Sequence, residues 1–366
     1  MLSIRRRLQR RKFRNFISRV QPVIIGVTGV NLSPLAAHAI GLVLHPHRQL
    51  ATSLAEATGN ARAVDTLILT LPAPAPGAVD RVVAATPFSI GVVTDMSSAH
   101  LDVFASKSML AHELTSLPIS LTKDGIAIVN SDDELTAAMA AAVPARVVQF
   151  GTNAAADVRL IRSRPLPRIG FAIEIAVGAR HFQGSLPYLI HFPHVYAALA
   201  ALSVAHAMNL DVNQSLQHLA ALRPLPGQLD VKASPQSARI LDGSAFATPE
   251  SMHAALHTLH TRSLDRRIAV LGDIESLGVE TTGAHKRIGR AAVLAANIFI
   301  AVGRNMRLAG AEALRVNHGP DVHHFDSAPE VGEWLAPYVR PDDTILVMGS
   351  PEMEMQAVVA DLCNSA

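Results

Sequence analysis

Short apolar runs alternating with helical stretches constrain this chain more than any other feature. Val23-Ile24-Ile25-Gly26-Val27, Thr66-Leu67-Ile68-Leu69, Ile90-Gly91-Val92-Val93 and Ile126-Ala127-Ile128-Val129 each read as a buried strand. The segments between them carry Ala- and Leu-rich helical patterns, so the alternation specifies a mostly parallel sheet with helices on its faces. Residues 147–150 and 171–175 read as further strands, the second in an antiparallel addition, and 195–210 as one long Ala-rich buried helix. Pro224-Leu225-Pro226-Gly227 closes this series, because two prolines and a glycine cannot continue the helix expected over 213–222. Beyond it, runs at 238–241, 268–271, 298–302 and 344–348 begin a second βα series, which specifies a doubly wound domain.

With 366 residues the chain has room for two such domains. An apolar fraction of 49% with only 17% charged residues excludes a disordered chain. One Trp and three Tyr leave the cores to Ala, Val, Leu and Ile. No apolar run reaches the roughly 18–20 residues of a bilayer span. The arginines at the start are followed by neither an apolar h-region nor a small-residue cleavage site. Cys363 is the lone cysteine, so no intrachain disulfide can form. A cytoplasmic setting is expected.

Arg5, Arg6, Arg7, Arg10, Arg11, Lys12, Arg14 and Arg19 crowd the first 19 residues without an acidic partner. The rest of the chain carries 24 Lys and Arg against 30 Asp and Glu, so the basic character belongs to a tag and not to the fold. Leu2, Ile4, Leu8, Phe13, Phe16, Ile17 and Val20 interleave with those charges at loosely helical spacing until Pro22. A basic amphipathic helix over 1–21 has two open readings. Its apolar stripe packs on the first domain, or residues 1–20 lie on an anionic membrane surface, peripheral at the inner membrane. Nothing resembling a helix-turn-helix, zinc knuckle or aromatic stacking motif accompanies it, which argues against nucleic acid.

Gly26-Val27-Thr28-Gly29 follows a strand and precedes a helix, where a phosphate-binding loop belongs. A working loop adds a second glycine for close backbone approach, a Lys for the β- and γ-phosphates, and a Ser or Thr hydroxyl for Mg²⁺. Val30-Asn31-Leu32-Ser33-Pro34 follows instead. Leu32 takes the glycine's place and Ser33 the lysine's, while Pro34, which lacks an N–H, takes the hydroxyl's. Gly26, Thr28, Gly29, Asn31 and Ser33 are thus the candidate positions of a degenerate nucleotide loop.

Further along, the run Arg267-Ile268-Ala269-Val270-Leu271-Gly272-Asp273-Ile274-Glu275-Ser276-Leu277-Gly278 is followed by His285 and Gly289. With Phe325-Asp326-Ser327, Trp334-Leu335, Val347-Met348-Gly349-Ser350 and Val195-Tyr196-Ala197-Ala198-Leu199-Ala200-Ala201, it resembles the Mur ligase family, and within it the D-alanyl-D-alanine-adding ligases. The resemblance runs from about Pro22 to Leu362 and leaves out the family's N-terminal UDP-binding domain. It implies an α/β chain with a P-loop-NTPase-like central domain, here 22–226, followed by a Rossmann-like C-terminal domain, here 227–366. It also implies ATP and Mg²⁺: a substrate carboxylate is phosphorylated and an amine attacks the acyl phosphate, with Lys and metal neutralising the transferring group.

Carried over position by position, the family's metal-binding Glu becomes Thr70. Its adenine-side Asn becomes His194, with Pro193 and Ala197 replacing the neighbours, and the Arg after its Pro-x-Pro-Gly turn becomes Gln228. Its Asp-x-Tyr-Asn-Ala-Asn-Pro loop reads Gly243-Ser244-Ala245-Phe246-Ala247-Thr248-Pro249. His100 matches a metal-adjacent His, although one His without a carboxylate holds Mg²⁺ poorly. His100, His194, Asp273, His285, Gly349 and Ser350 are the candidate cleft residues, with capping and tight turns the other reading of the last four. His253, His257 and His260 share one helix face, and His318, His323 and His324 form a looser group in an expected loop; neither set reads as a metal site.

The joint loss of phosphate, metal and adenine contacts points to a pseudoenzyme near peptidoglycan-precursor or related amide-bond synthesis. It would need no cofactor and would bind another protein, such as an active ligase, or a small peptide-like ligand. The alternative is a divergent ATP- and Mg²⁺-dependent acid–amino acid ligase in which Asn31, Ser33 and His100 replace the missing groups.

Overall fold

The computed structural model describes residues 13, 15–53, 56, 64–263, 265–316 and 319–364. They form two compact units, one drawn from residues 13–96, 108–187 and 195–222, the other from residues 97–107, 188–194 and 223–364. The single division expected after residue 226 is therefore interrupted twice. Local bonds explain this: Asp102 N–H donates to the Ser276 carbonyl at 3.3 Å, and His191 Nδ1 lies 2.8 Å from Thr258 Oγ1, so both short segments are tied into the second unit.

The first unit contains β1 (Val23–Thr28), β2 (Leu50–Ala51), β3 (Thr66–Thr70), β4 (Ile90–Val93), β5 (Ile126–Asn130), β6 (Arg146–Gly151), β7 (Val158–Pro165), β8 (Phe171–Val177) and β9 (Arg180–Leu186). Their order is β2-β3-β1-β4-β5-β6-β7-β8-β9. Pairing is parallel as far as β7, and β7, β8 and β9 then close the sheet as an antiparallel meander. The helix His194–Ala207 is apolar all round, as a helix without a solvent face must be. Residues 15–20 are helical, and Phe13 and Phe16 are buried, so this end of the N-terminal segment packs by its apolar stripe. The charged stretch 1–12 and Arg14 lie outside the described residues.

The second unit contains β10 (Asp230–Ala233), β11 (Arg239–Gly243), β12 (Arg267–Gly272), β13 (Ile298–Val302), β14 (Asp321–Phe325) and β15 (Thr344–Met348), ordered β10-β11-β15-β12-β13-β14. All pairs but β10–β11 are parallel. Val270, Ile300, Val331, Val347, Val358 and Leu362 are among the residues of its core. The loop expected around His323 and His324 is instead the edge strand β14, with His323 paired to Ile300. Its side chains are put to structural use: the His323 ring lies 4.5 Å from Trp334, and His324 Nε2 is 3.0 Å from the Gly303 carbonyl. His318 lies outside the described residues. No helix among the described residues is long and apolar enough to cross a membrane.

Candidate functional site

In a doubly wound sheet, ligands bind beyond the carboxyl ends of the strands where the winding reverses. In the first unit that place lies between β1 and β4, which pair directly. β1 runs into Gly29 and then the helix Ser33–Leu44, while β4 runs into Thr94 and Asp95. Gly29 has φ +138°, and a Cβ there would sit 3.1 Å from the Asp95 nitrogen, so the turn requires glycine on both counts.

The crevice is filled from within. Asp95, 9% exposed, sends its carboxylate under the loop. Asn31 N–H reaches its two oxygens at 3.2 and 3.0 Å, and Leu32 N–H donates to Oδ1 at 3.0 Å. Val30 N–H donates to the Asp95 carbonyl at 3.3 Å, and Thr94 Oγ1 donates to Oδ1 at 2.9 Å. Backbone N–H groups ahead of a helix favour an anion, and here the anion is a side chain of the same fold. Asp95 was not legible as a site residue because it stands 64 positions from Asn31 and belongs to no motif. The one usable signal was its position directly after a buried strand that neighbours β1.

The other loop positions are turned inward. Ser33 Oγ donates to the Gly29 carbonyl at 3.0 Å, and Thr28 Oγ1 to the Leu71 carbonyl at 2.9 Å. Gly26 lies within β1, where a Cβ would come 2.7 Å from Leu117 and 2.9 Å from Phe88. Pro34 occupies the first turn of the helix. Thr70 is exposed at the end of β3.

In the second unit the winding reverses between β12 and β15, and Asp273, Gly349 and Ser350 gather there. Asp273 accepts the N–H groups of Asn305 at 2.9 Å and Met306 at 2.6 Å, closing the start of the helix Met306–Ala313. Ser350 N–H donates to the Asp273 carbonyl at 3.0 Å, and Ser350 Oγ accepts Glu275 N–H at 2.9 Å. A Cβ on Gly349 would lie 2.8 Å from Met355 and 3.1 Å from Gly272 Cα, so the two strand ends meet through glycine. His285 is buried, with Nε2 accepting Ile274 N–H at 3.1 Å and Nδ1 2.7 Å from the Thr281 carbonyl. That pair of partners fixes the proton on Nδ1. Burial, with the charges of Asp273 and Glu352, holds the Glu275 carboxyl above its ordinary range.

The remaining candidates stand apart. His100 is exposed at φ +51° ahead of the short helix Leu101–Phe104. His194 is buried with its ring against His191 at 4.9 Å and no partner for Nδ1, and burial lowers its pKa to about 4. Burial, aided by His194 and His257, also lowers His191. Gln228 N–H donates to the Leu225 carbonyl at 2.9 Å, within the expected turn. Thr248 and Ser251 cap each other at the start of the helix Pro249–Arg262, so that loop is fixed as a helix entry. His260 in that helix lies 3.1 Å from Arg267 Nη1. Among the described residues no three His, Cys, Asp or Glu side chains are grouped to hold a metal ion.

Two units, each a mostly parallel sheet whose winding reverses once, define a two-domain α/β protein. Residues 47–204 match the Mur ligase middle domain and residues 229–351 the Mur ligase glutamate ligase domain. The chain belongs to the Mur ligase family. It is 29% identical over 336 residues to the UDP-N-acetylmuramoyl-tripeptide–D-alanyl-D-alanine ligase of Mycobacterium tuberculosis, covering 83% of this chain and 64% of that protein. It is 27% identical to the Escherichia coli ligase of the same name, covering 81% and 65%. This chain thus spans just under two thirds of the length of either relative. In fold it is similar to the MurF ligase of Thermotoga maritima solved in complex with ADP, with a TM-score of 0.86, 18% identity, and 98% and 83% of the two chains covered. The MurF of Acinetobacter baumannii gives 0.84, at 20% identity and 96% and 79% coverage.

Proposed function

We propose that this chain keeps the Mur ligase scaffold without ATP-dependent ligation and acts by binding, near peptidoglycan-precursor or related amide-bond synthesis. One observation carries the reading: the carboxylate of Asp95 occupies the N–H groups of Asn31 and Leu32. A phosphate oxygen at that spot would meet a full negative charge at contact distance. Two like charges about 4 Å apart repel by about 4 kcal/mol at an effective dielectric of 20. The donors that would offset this repulsion are already bonded, and the loop supplies no lysine. Pro34 offers neither an N–H nor a hydroxyl, and Thr70 is no carboxylate for a metal. ATP and Mg²⁺ do not fit these residues.

A second reading, the divergent acid–amino acid ligase, is favoured by the ligase activity for which relatives 29% identical over most of the chain are named. In that case Asp95 must leave the loop when nucleotide arrives. Calorimetric titration with ATP·Mg²⁺ separates the two. Absence of heat to millimolar nucleotide supports the binding protein, and micromolar affinity supports the ligase. The partner would be an active ligase or a small peptide-like ligand, read out by co-elution of the intact chain with the ligase.

A further inference from the structure

The meander β7–β8–β9 differs in charge from the rest of the fold. Between Val158 and Leu186 stand five arginines and a single carboxylate, Glu174. Taking these from the 24 basic and 30 acidic residues beyond the N-terminal tag leaves 19 Lys and Arg against 29 Asp and Glu. The meander is therefore a basic patch on an acidic body. Pairing places its arginines: Arg159 lies opposite Ala176, Arg162 opposite Glu174 and Arg164 opposite Ala172. The alternate residues of β8, Phe171, Ile173 and Ile175, are buried, so the three arginines share the face turned away from the core. The bulge between Leu160 and Arg162 makes this possible. Arg159 and Arg162 are three positions apart and would point to opposite faces of a regular strand, and one extra residue brings them to the same side. That residue, Ile161, is left exposed.

These charges are not neutralised by the fold. Among the described residues Arg159, Arg162, Arg164 and Arg168 form no ion pair, and Glu174 lies 3.6 Å from His181 instead. In the second unit Arg287, Arg290, Arg307 and Arg315 each face a carboxylate. One end of the basic face is apolar. In the turn between Arg164 and Arg168, Pro165 and Pro167 are exposed and Leu166 is half-buried, as is Ile169 just beyond. The turn is held in shape, with Leu166 N–H donating to the Gly170 carbonyl at 3.0 Å. Gly170 has φ +108°, and a Cβ there would lie 2.7 Å from Pro187 Cα, so the turn is seated against the end of β9. Apolar side chains fixed at a tip and flanked by guanidinium groups suit the boundary between phosphate headgroups and acyl chains. Phe171 and Phe182 are buried, so the face offers no Phe, Tyr or Trp ring on which nucleic-acid bases could stack.

We propose that this face docks the chain on an anionic lipid bilayer. Arg159, Arg162, Arg164 and Arg168 meet the phosphate headgroups, and Leu166 and Ile169 reach the acyl boundary. The contact is separate from any made by residues 1–20 and does not depend on whether ATP binds. Sedimentation of the full chain with vesicles tests it, one set of phosphatidylcholine alone and one containing phosphatidylglycerol. Pelleting with the anionic set only is expected, and it should be lost at 1 M salt, where charges are screened within about 3 Å. Arg162→Glu with Arg164→Glu should lower partitioning by about tenfold or more. If charge reversal unfolds the chain, Arg162→Gln with Arg164→Gln should still lower it by about threefold or more. Arg162→Lys with Arg164→Lys should leave it near the parent's, because a headgroup layer reads charge, whereas Leu166→Ser with Ile169→Ser should weaken it severalfold. The proposal is overturned by equal pelleting on both vesicle sets, by none on either, or by pelleting that the Glu and Gln variants leave unchanged, which would assign it to residues 1–20. Retention on immobilised polyglutamate without vesicle binding would assign the face to an acidic protein and overturn it too.

Discussion

Asp95 Oδ1 accepts the backbone N–H of Leu32 at 3.0 Å, across 63 positions of sequence, at the point where the winding of the first sheet reverses. The same carboxylate takes Asn31 N–H, so one side chain ties the end of β4 to the loop after β1. In this account it holds the loop in place and blocks it against other anions.

Asp95→Ala should separate these two effects. Loss of charge-assisted bonds to two partly buried N–H groups is expected to lower stability by about 1–3 kcal/mol in urea unfolding. The freed N–H groups should then accept a simple anion, so that pyrophosphate raises the unfolding midpoint of the variant and leaves the parent unchanged. An Asp95→Ala chain as stable as the parent would remove the structural role assigned to this residue.

His194 gives the protein an acid-sensitive term. Its ring is buried with a pKa of about 4 against an ordinary 6.5, so the unfolded chain binds the proton more readily. The stability from burying the neutral ring is complete above pH 6.5, and it drains away as pH falls from 6.5 to 4. The loss at this site is about 3 kcal/mol. His191, lowered in the same direction, adds to it. Urea midpoints across that range should slope less steeply in His194→Asn than in the parent, and parallel slopes would contradict the assignment.

Asp343 is buried to 1% side-chain exposure and held by Arg266 through bonds of 2.9 and 2.7 Å. Arg340 N–H adds a third at 2.7 Å. Arg266→Met leaves this carboxylate buried without its cation, and a loss of about 3–5 kcal/mol is expected. Urea unfolding of the variant measures it, and a loss below about 1 kcal/mol would show that water or another group replaces the guanidinium.

Gly289 and Gly41 are both helix-interior glycines, and opposite outcomes are expected at the two. A Cβ on Gly289 would collide with the Ala309 backbone, whose Cα would be 2.8 Å away, so the two helices cross there only because the side chain is missing. Gly289→Ala should lose about 1–3 kcal/mol through overpacking. Gly41→Ala, with open space above it, should gain up to about 1 kcal/mol from helix propensity. Thermal melts of the two variants should move in opposite directions.

The parallel strands were legible because both of their faces are buried. β1 and β12 carry continuous apolar runs over 23–27 and 268–271, and nothing competes with that pattern. β7, β9 and β14 escaped notice because they carry Arg159, Arg162, Arg164, His181, His323 and His324 on solvated faces or edges. The two-residue strand β2 is too short to leave a period at all. The loop after β1 could be seen as altered from Leu32, Ser33 and Pro34 alone, since the chemistry of phosphate binding is local there. Its occupation by Asp95 could not, because that contact joins neighbouring strands whose proximity only the fold supplies.

Whether the amides of Asn31 and Leu32 are available to a triphosphate decides between a binding protein and a ligase. Protein labelled with nitrogen-15 at Asn and Leu, titrated with ATP·Mg²⁺ and followed through these two amide resonances, reports on that directly. Both resonances should stay in place up to millimolar nucleotide. A saturable shift of either one would mean that Asp95 yields the loop to phosphate, and the central claim would be wrong.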